Sequence, residues 1–179
     1  MSVRNSSIKA VIIDQITENL KIDLSDLNSV WANQPALMMK YGAKMANAER
    51  TVSEEKRRID GLSSTLYNIV RSERAMNGTK TSESALESML GQIERHYSSE
   101  DESLNLSNTF IHNLPEKVVP IAKTLAAARR NYDHNKELYE IYKSAIEALR
   151  HRRDMVVQAS KKSILDYEYL NAGTFAGKK

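Results

Sequence analysis

The longest regular pattern of apolar positions lies between Pro35 and Met76. Apolar residues recur there at alternating steps of three and four, as in a helix that packs against a second helix, and only Glu55 and Glu73 interrupt the series. Proline is favoured in the first turn of a helix, so we predict that one long helix begins at Pro35. The core seam predicted for this helix comprises Tyr41, Met45, Val52, Ile59, Leu62, Leu66 and Ile69.

A second series of the same kind runs from Ile121 to Val156 and predicts a second long helix from about Ile121 to Leu170. Near its end the series passes from Leu149 through Arg153 to Val156. The core positions predicted on this helix are Leu138, Tyr142, Ile146 and Leu149.

Shorter elements are predicted before the first long helix and after it. Residues 8–20 have the amphipathic pattern of a short helix. Ser25 or Asp26 suits the N-cap of a brief helix that continues through Trp31. The polar, glycine-containing sequence at 77–80 predicts a turn.

The connection to the second long helix is expected to contain one helix and an irregular stretch. Thr81 is predicted to cap the helix, and the acidic segment 98–103 to end it. Apolar residues at 104–114 then suit a short helix or an ordered loop, and Pro115 and Pro120 bracket a connector.

These elements together predict an all-α fold. The 179 residues include only 6 glycines and 3 prolines, which favours long helices and few turns. We expect an elongated antiparallel helical hairpin or bundle, built on two long helices with short helices between them and at the N-terminus. Residues 1–34 would form a short-helix arm, 35–172 the hairpin domain and 173–179 a flexible basic tail. The large side surface of such a hairpin favours self-association into a homo-oligomer.

Composition counts against an enzyme. The chain has no cysteine, which excludes disulfides and thiolate metal sites, and its four histidines never lie at the i, i+4 spacing of a helical metal pair. Phosphate-loop and nucleophile-elbow motifs are absent. We therefore predict no catalytic residue, no metal and no cofactor. The apolar runs are too short to predict a membrane span or a signal peptide, which indicates a cytoplasmic protein without a membrane partner.

Basic residues give the clearest functional signal. Arg50, Arg57 and Arg71 are separated by multiples of seven, so they share one helix face opposite the seam. A row of cations can follow a single-stranded nucleic-acid backbone, and an aromatic ring beside it can stack on a base. The alternative is an ordinary solvated helix surface balanced by acids one turn away, such as Glu54. The candidate nucleic-acid-binding residues are Arg50, Lys56, Arg57, Arg58, Tyr67, Arg71 and Arg74.

A second basic cluster lies late in the second long helix. Three uses fit it: it binds phosphates, it pairs with acids of a neighbouring subunit such as those at 83–102, or it is a solvated face. Its members are Arg150, Arg152, Arg153, Lys161 and Lys162.

The order of these features resembles the phage recombination mediator proteins of the UvsY type. The resemblance covers about residues 14–172 and is carried by Trp31, the basic KRR at 56–58, the TSESALE segment at 81–87 and the YKSAIEALRHRRD segment of the second long helix. The chain departs from the family pattern by extra residues at its start and by a longer stretch around 98–120.

The resemblance implies a small helical protein that forms a ring-like homo-oligomer and binds single-stranded DNA. It also implies two protein partners, a recombinase and the single-strand-binding protein that the recombinase replaces. The family's basic Lys-x-Arg element is matched most nearly by Lys56, Arg57 and Arg58. The predicted function is thus a non-catalytic mediator that helps to load a recombinase on single-stranded DNA. The alternative is an oligomeric phage structural or interaction protein, such as a scaffolding or anti-defence factor, with no nucleic-acid role.

Overall fold

The computed structural model describes residues 2–78, 80–98 and 116–176, and side chains within 8–78, 80–97 and 116–171. The described part is helical throughout, apart from short turns, which confirms the all-α prediction. Its helices are α1 (Ser2–Leu20), α2 (Leu27–Met76), α3 (Glu83–Ser98) and α4 (Val118–Ala176). The elements predicted at 99–114, Pro115 and the last residues of the predicted tail, 177–179, lie outside the described residues.

The chain divides into two compact units, and both long helices contribute to each. Unit 1 contains the residues up to Ala48 together with those from Glu137 onward, and unit 2 contains Glu49–Lys136. In each unit a part of α2 packs against a part of α4, so the two long helices form the predicted helical hairpin.

Unit 1 is built from α1, the first part of α2 and the later part of α4. Gln34 of α2 bonds to the carbonyl of Leu149, and the Tyr41 and Tyr142 rings lie 6.4 Å apart, so α2 and α4 run antiparallel here. Asn19 of α1 donates a 2.7 Å hydrogen bond to the hydroxyl of Tyr41. The buried residues of this core are Ile16, Tyr41, Ala48, Tyr142, Ala145, Ile146 and Leu149.

Unit 2 is built from the second part of α2, α3 and the first part of α4. Arg129 of α4 pairs with Glu94 of α3 at 2.7 Å. The buried residues of this core are Leu66, Val70, Leu86, Ile93, Val118, Ala122 and Leu125.

The predicted seam residues lie in these cores, with Val52 as the exception. Tyr41, Leu66, Tyr142, Ile146 and Leu149 are buried. Met45, Ile59, Leu62, Ile69 and Leu138 are partly buried and pack against the two clusters. Val52 is partly buried but belongs to neither cluster.

The start of α2 differs from the prediction. Asp26 caps the helix, because its Oδ1 accepts a 3.0 Å hydrogen bond from the Ser29 N–H, and the helix then continues through Pro35. Val30 and Gln34 are buried in the turns before the proline, so packing holds those turns helical. The predicted boundary at residue 34 therefore falls inside α2.

The caps and connectors of the later helices also differ. Ser82, and not Thr81, caps α3, with its hydroxyl 3.4 Å from the Ala85 N–H. α4 begins at Val118 and takes Pro120 into its first turn, where a proline costs no intrahelical hydrogen bond. After α2, Gly78 has a φ of 67°, the left-handed conformation that glycine supplies at a helix end.

The last part of α4 is exposed along its whole surface. All residues from 161 to 171 are exposed, and α4 continues as helix to Ala176, into the predicted tail. The large apolar side chains exposed there are Ile164, Leu165, Tyr167, Tyr169 and Leu170. Within the described residues, no helix combines the length and the apolar character that a membrane span requires.

Candidate nucleic-acid interface

Three arginines share the face of α2 that points away from the core of unit 2. At about 100° per residue, Arg57 lies about 20° and Arg71 about 60° around the helix from Arg50, whereas Leu66 lies about 160° away. The three arginines are exposed and Leu66 is fully buried. The structure therefore brings Arg50, Arg57 and Arg71 onto one solvent-facing side, as predicted.

Arg50 and Arg57 each make a contact within their own helix. The Arg50 Nε lies 3.8 Å from Glu54, with both side chains more than half exposed. The Arg57 Nε donates a 3.3 Å hydrogen bond to the carbonyl of Ser53. An exposed ion pair within one helix contributes only about 0.3–0.5 kcal/mol, so the pair of Arg50 with Glu54 can yield to an external anion.

The part of α2 from Gly61 to Ser72 contains no carboxylate, whereas the exposed Asp60 lies just before it. Gly61, Ser64 and Asn68 continue the same face at steps of four, three and four, all three are exposed, and no Asp or Glu occurs between Gly61 and Ser72. A side chain added at Gly61 would meet no neighbouring atom. We call the set Arg57, Gly61, Ser64, Asn68 and Arg71 the α2 stripe. It spans about 21 Å at 1.5 Å per residue.

Sequence reasoning missed the stripe because it searched for cations and not for the absence of acids. The signal was available, since small polar residues follow Arg57 at the spacing of a helix face. An acid beside the strand would repel phosphate, so the absence of acids from Gly61 to Ser72 matters as much as the charge of Arg71.

Arg58 and Lys56 flank this face differently. Arg58 is 53% exposed and lies 3.8 Å from Glu55, whose side chain is only 15% exposed. The second carboxylate oxygen of Glu55 is buried without a hydrogen-bond partner among the described residues. Lys56 is exposed. The negative charge of Glu55 thus compensates Arg58 more than it does Lys56.

Tyr67 and Arg74 lie at the contact between α2 and α3. The Tyr67 hydroxyl donates a hydrogen bond to Glu83, and its ring packs against the core of unit 2. This hydrogen bond raises the pKa of Tyr67, with smaller contributions from burial and from the charge of Glu83. Arg74 is partly buried and directs Nη2 to the sulfur of Met89 at 3.4 Å. Both residues therefore have partners on α3. The sequence alone could not predict these contacts, because it does not show where α3 packs against α2.

The second basic cluster does not form one surface. Arg150, Arg153, Lys161 and Lys162 are exposed, and Arg153 pairs with the adjacent Asp154 at 2.9 Å. Arg152 is only 6% exposed, so its assignment to a surface cluster is wrong. The reason is its position: it follows Leu149 by three residues and precedes Val156 by four, which places it on their buried face.

Comparisons with protein-family models, with curated proteins and with solved structures found no significant match.

Proposed function

We propose that this protein binds single-stranded DNA through the α2 stripe together with Arg50 and Lys56, without catalysing a reaction. The observation that carries the proposal is the exposed surface from Gly61 to Arg71, which contains no carboxylate and follows the exposed Asp60. A backbone phosphate can approach α2 at Asn68 and Arg71, which lie about 12 Å or more along the helix from Asp60.

The chemistry of the stripe favours a flexible, sequence-independent ligand. Arginine forms bidentate hydrogen bonds with phosphate oxygens, and the small side chains between Arg57 and Arg71 let a strand lie close to the helix. The hydroxyl of Tyr67 is hydrogen-bonded to Glu83 of α3. We therefore assign the contact with DNA to the arginines and not to base stacking on Tyr67. Such binding depends on phosphate charge and weakens as salt rises.

The mediator role extends this proposal through the resemblance to UvsY-type proteins. A homo-oligomer would present several stripes to one strand, and their combined occupancy would raise the apparent affinity above that of a single weak site. The strand held in this way would be handed to a recombinase in place of single-strand-binding protein.

A charge-matched pair of variants tests the DNA-binding face. The face variant carries Arg50→Gln, Arg57→Gln and Arg71→Gln. The control carries Lys123→Gln, Arg130→Gln and Lys136→Gln, which removes the same charge from exposed positions of α4 in the same unit. Binding of fluorescently labelled oligo-dT is measured by anisotropy over a series of salt concentrations.

We expect the face variant to bind at least about tenfold more weakly at low salt, and the control to stay close to the parent. The slope of log affinity against log salt should fall by about 2 in the face variant, because each lost phosphate contact removes about 0.7 on a single strand. Equal losses in both variants would show that net charge and not this face binds DNA, and unchanged binding would refute the proposal.

A second candidate is a protein-interaction role without nucleic acid. The exposed apolar residues near the end of α4 favour it, since such patches commonly mark contacts with other proteins. A parent protein that fails to bind oligo-dT at low salt but forms oligomers by light scattering would support this candidate.

A further inference from the structure

Arg152 carries a buried charge inside unit 1 that pairs with no carboxylate among the described side chains. Its Nη1 donates to the side-chain carbonyl of Gln34, and its Nη2 lies 3.3 Å from the backbone carbonyl of Lys21. Its Nε is buried without a partner among the described residues. Both acceptors are uncharged, and burial lowers the pKa of the guanidinium.

A buried cation is expensive unless it is paired or fully hydrogen-bonded. The carbonyl of Lys21 lies just after the end of α1, so the negative end of that helix supplies a partial charge at most. The structure therefore holds a guanidinium that is positioned by neutral groups and still lacks a full counter-charge.

A cavity of about 340 Å³ opens beside Arg152, between the end of α1 and the start of α2. Arg152, Lys21 and Lys40 line it, and Asn19 and Asn33 add amide groups. Glu18 also lines it and pairs with Lys21 at 2.6 Å, both side chains being about two-thirds exposed. Three cations and one carboxylate give the cavity a net positive charge.

We infer that this cavity is a binding site for a phosphate group. The negative charge of Glu18 offsets that of Lys21, so Arg152 and Lys40 leave a net charge of about +2 in the cavity. A phosphate dianion would balance that charge. Lys40 is exposed at the cavity, where it can turn toward an anion. The exposed pair of Glu18 and Lys21 is weak and can open, which would let Lys21 contribute as well. The cavity volume suits a phosphate together with part of the group that bears it.

This site is independent of the proposed DNA-binding face, because it uses other residues in the other unit. Its test is a titration of the full-length protein with inorganic phosphate, at constant ionic strength set with chloride. The readout is the NMR signal of the Arg152 side-chain Nε–H, which reports on this guanidinium alone.

We expect a saturable shift of that signal with phosphate. Lys40→Gln should weaken phosphate binding by about tenfold, because one charged contact is lost. The control is Lys44→Gln, one turn farther along α2. Lys44 lies 5.8 Å from the Tyr41 ring centre, close to the 5.6 Å of Lys40, but it does not line the cavity, so its loss should leave phosphate affinity unchanged.

Two further probes identify the source of the phosphate. Oligo-dT with a 5′-phosphate and the same oligo-dT without it are titrated against the Arg152 signal. Saturation by the phosphorylated strand alone assigns the site to a terminal or free phosphate, and equal saturation by both assigns it to backbone phosphodiesters. A shift that does not saturate, or equal weakening by Lys40→Gln and Lys44→Gln, would overturn the inference.

Discussion

Replacing Gln34 with leucine removes the only side chain that links α2 to both Leu149 and Arg152 within the described residues. Gln34 Nε2 donates a 2.6 Å hydrogen bond to the carbonyl of Leu149, and Gln34 Oε1 accepts one from Arg152. Gln34 is buried, so its replacement leaves the carbonyl of Leu149 and the guanidinium of Arg152 without the hydrogen bonds that it supplies. The substitution nearly conserves volume, which isolates the polar contribution.

The expected cost follows from what each partner loses. The hydrogen bond to the charged guanidinium is worth about 1.5–3 kcal/mol, and the neutral bond to Leu149 about 1 kcal/mol. The leucine recovers about 1 kcal/mol through its greater apolar burial. We therefore expect Gln34→Leu to lower the free energy of unfolding by about 1.5–3 kcal/mol.

Urea denaturation followed by circular dichroism measures this change. Gln158→Leu is the matched control, because Gln158 is an exposed glutamine of α4 in the same unit, and its substitution should change stability by no more than about 0.5 kcal/mol.

A double-variant cycle sharpens the test. If Gln34 and Arg152 are partners, Gln34→Leu combined with Arg152→Met should cost at least about 1 kcal/mol less than the sum of the two single changes, because neither partner is then left buried alone. Additive losses, or a Gln34→Leu variant as stable as the parent, would refute the reasoning.

Two further predictions concern unit 2. Leu66→Ala should lower the free energy of unfolding by about 2–5 kcal/mol in urea denaturation, because Leu66 is fully buried. The control Leu165→Ala, at an exposed position, should lower it by no more than about 0.5 kcal/mol. Equal losses in the two variants would contradict the assigned core. Glu83→Gln should return the raised pKa of Tyr67 toward its ordinary value, as followed by ultraviolet titration with Tyr67→Phe as the reference. The pKa of Tyr67 is higher in the folded than in the unfolded protein, so its contribution to stability is present below the ordinary tyrosine value of about 10 and is lost as pH rises through the folded pKa. An unchanged titration would contradict the role of Glu83.

The long helices and most of their core positions could be predicted because burial on a helix requires steps of three and four. The start of α2 could not, because the preference for proline in a first turn competes with the burial of Val30 and Gln34 on the preceding turns. Local preferences favoured a helix start at Pro35, whereas tertiary packing keeps the preceding residues helical from Leu27 onward.

The candidate site was predicted in part for similar reasons. Arg50, Arg57 and Arg71 share a face by helix geometry alone. Tyr67 and Arg74 depend on where α3 packs, which no periodicity encodes.

Arg152 shows the limit of periodicity most directly. The step from Leu149 to Val156 can pass through either Arg152 or Arg153 with the same alternation of three and four. Arg152 is the buried one because it contacts Gln34 and the carbonyl of Lys21 after α1. Both partners are far from Arg152 in sequence.

The run from Arg150 to Arg153 has consequences for how this protein tolerates genetic change. All four of its residues have basic side chains, but only Arg152 is buried. Changes at Arg150, His151 or Arg153 alter surface charge and should leave the amount of folded protein in a cell nearly constant. Changes at Arg152 should lower that amount, since partly unfolded chains are removed by proteases. If all four residues were replaced together, a loss of activity would therefore reflect a smaller amount of folded protein and would not by itself show weaker binding.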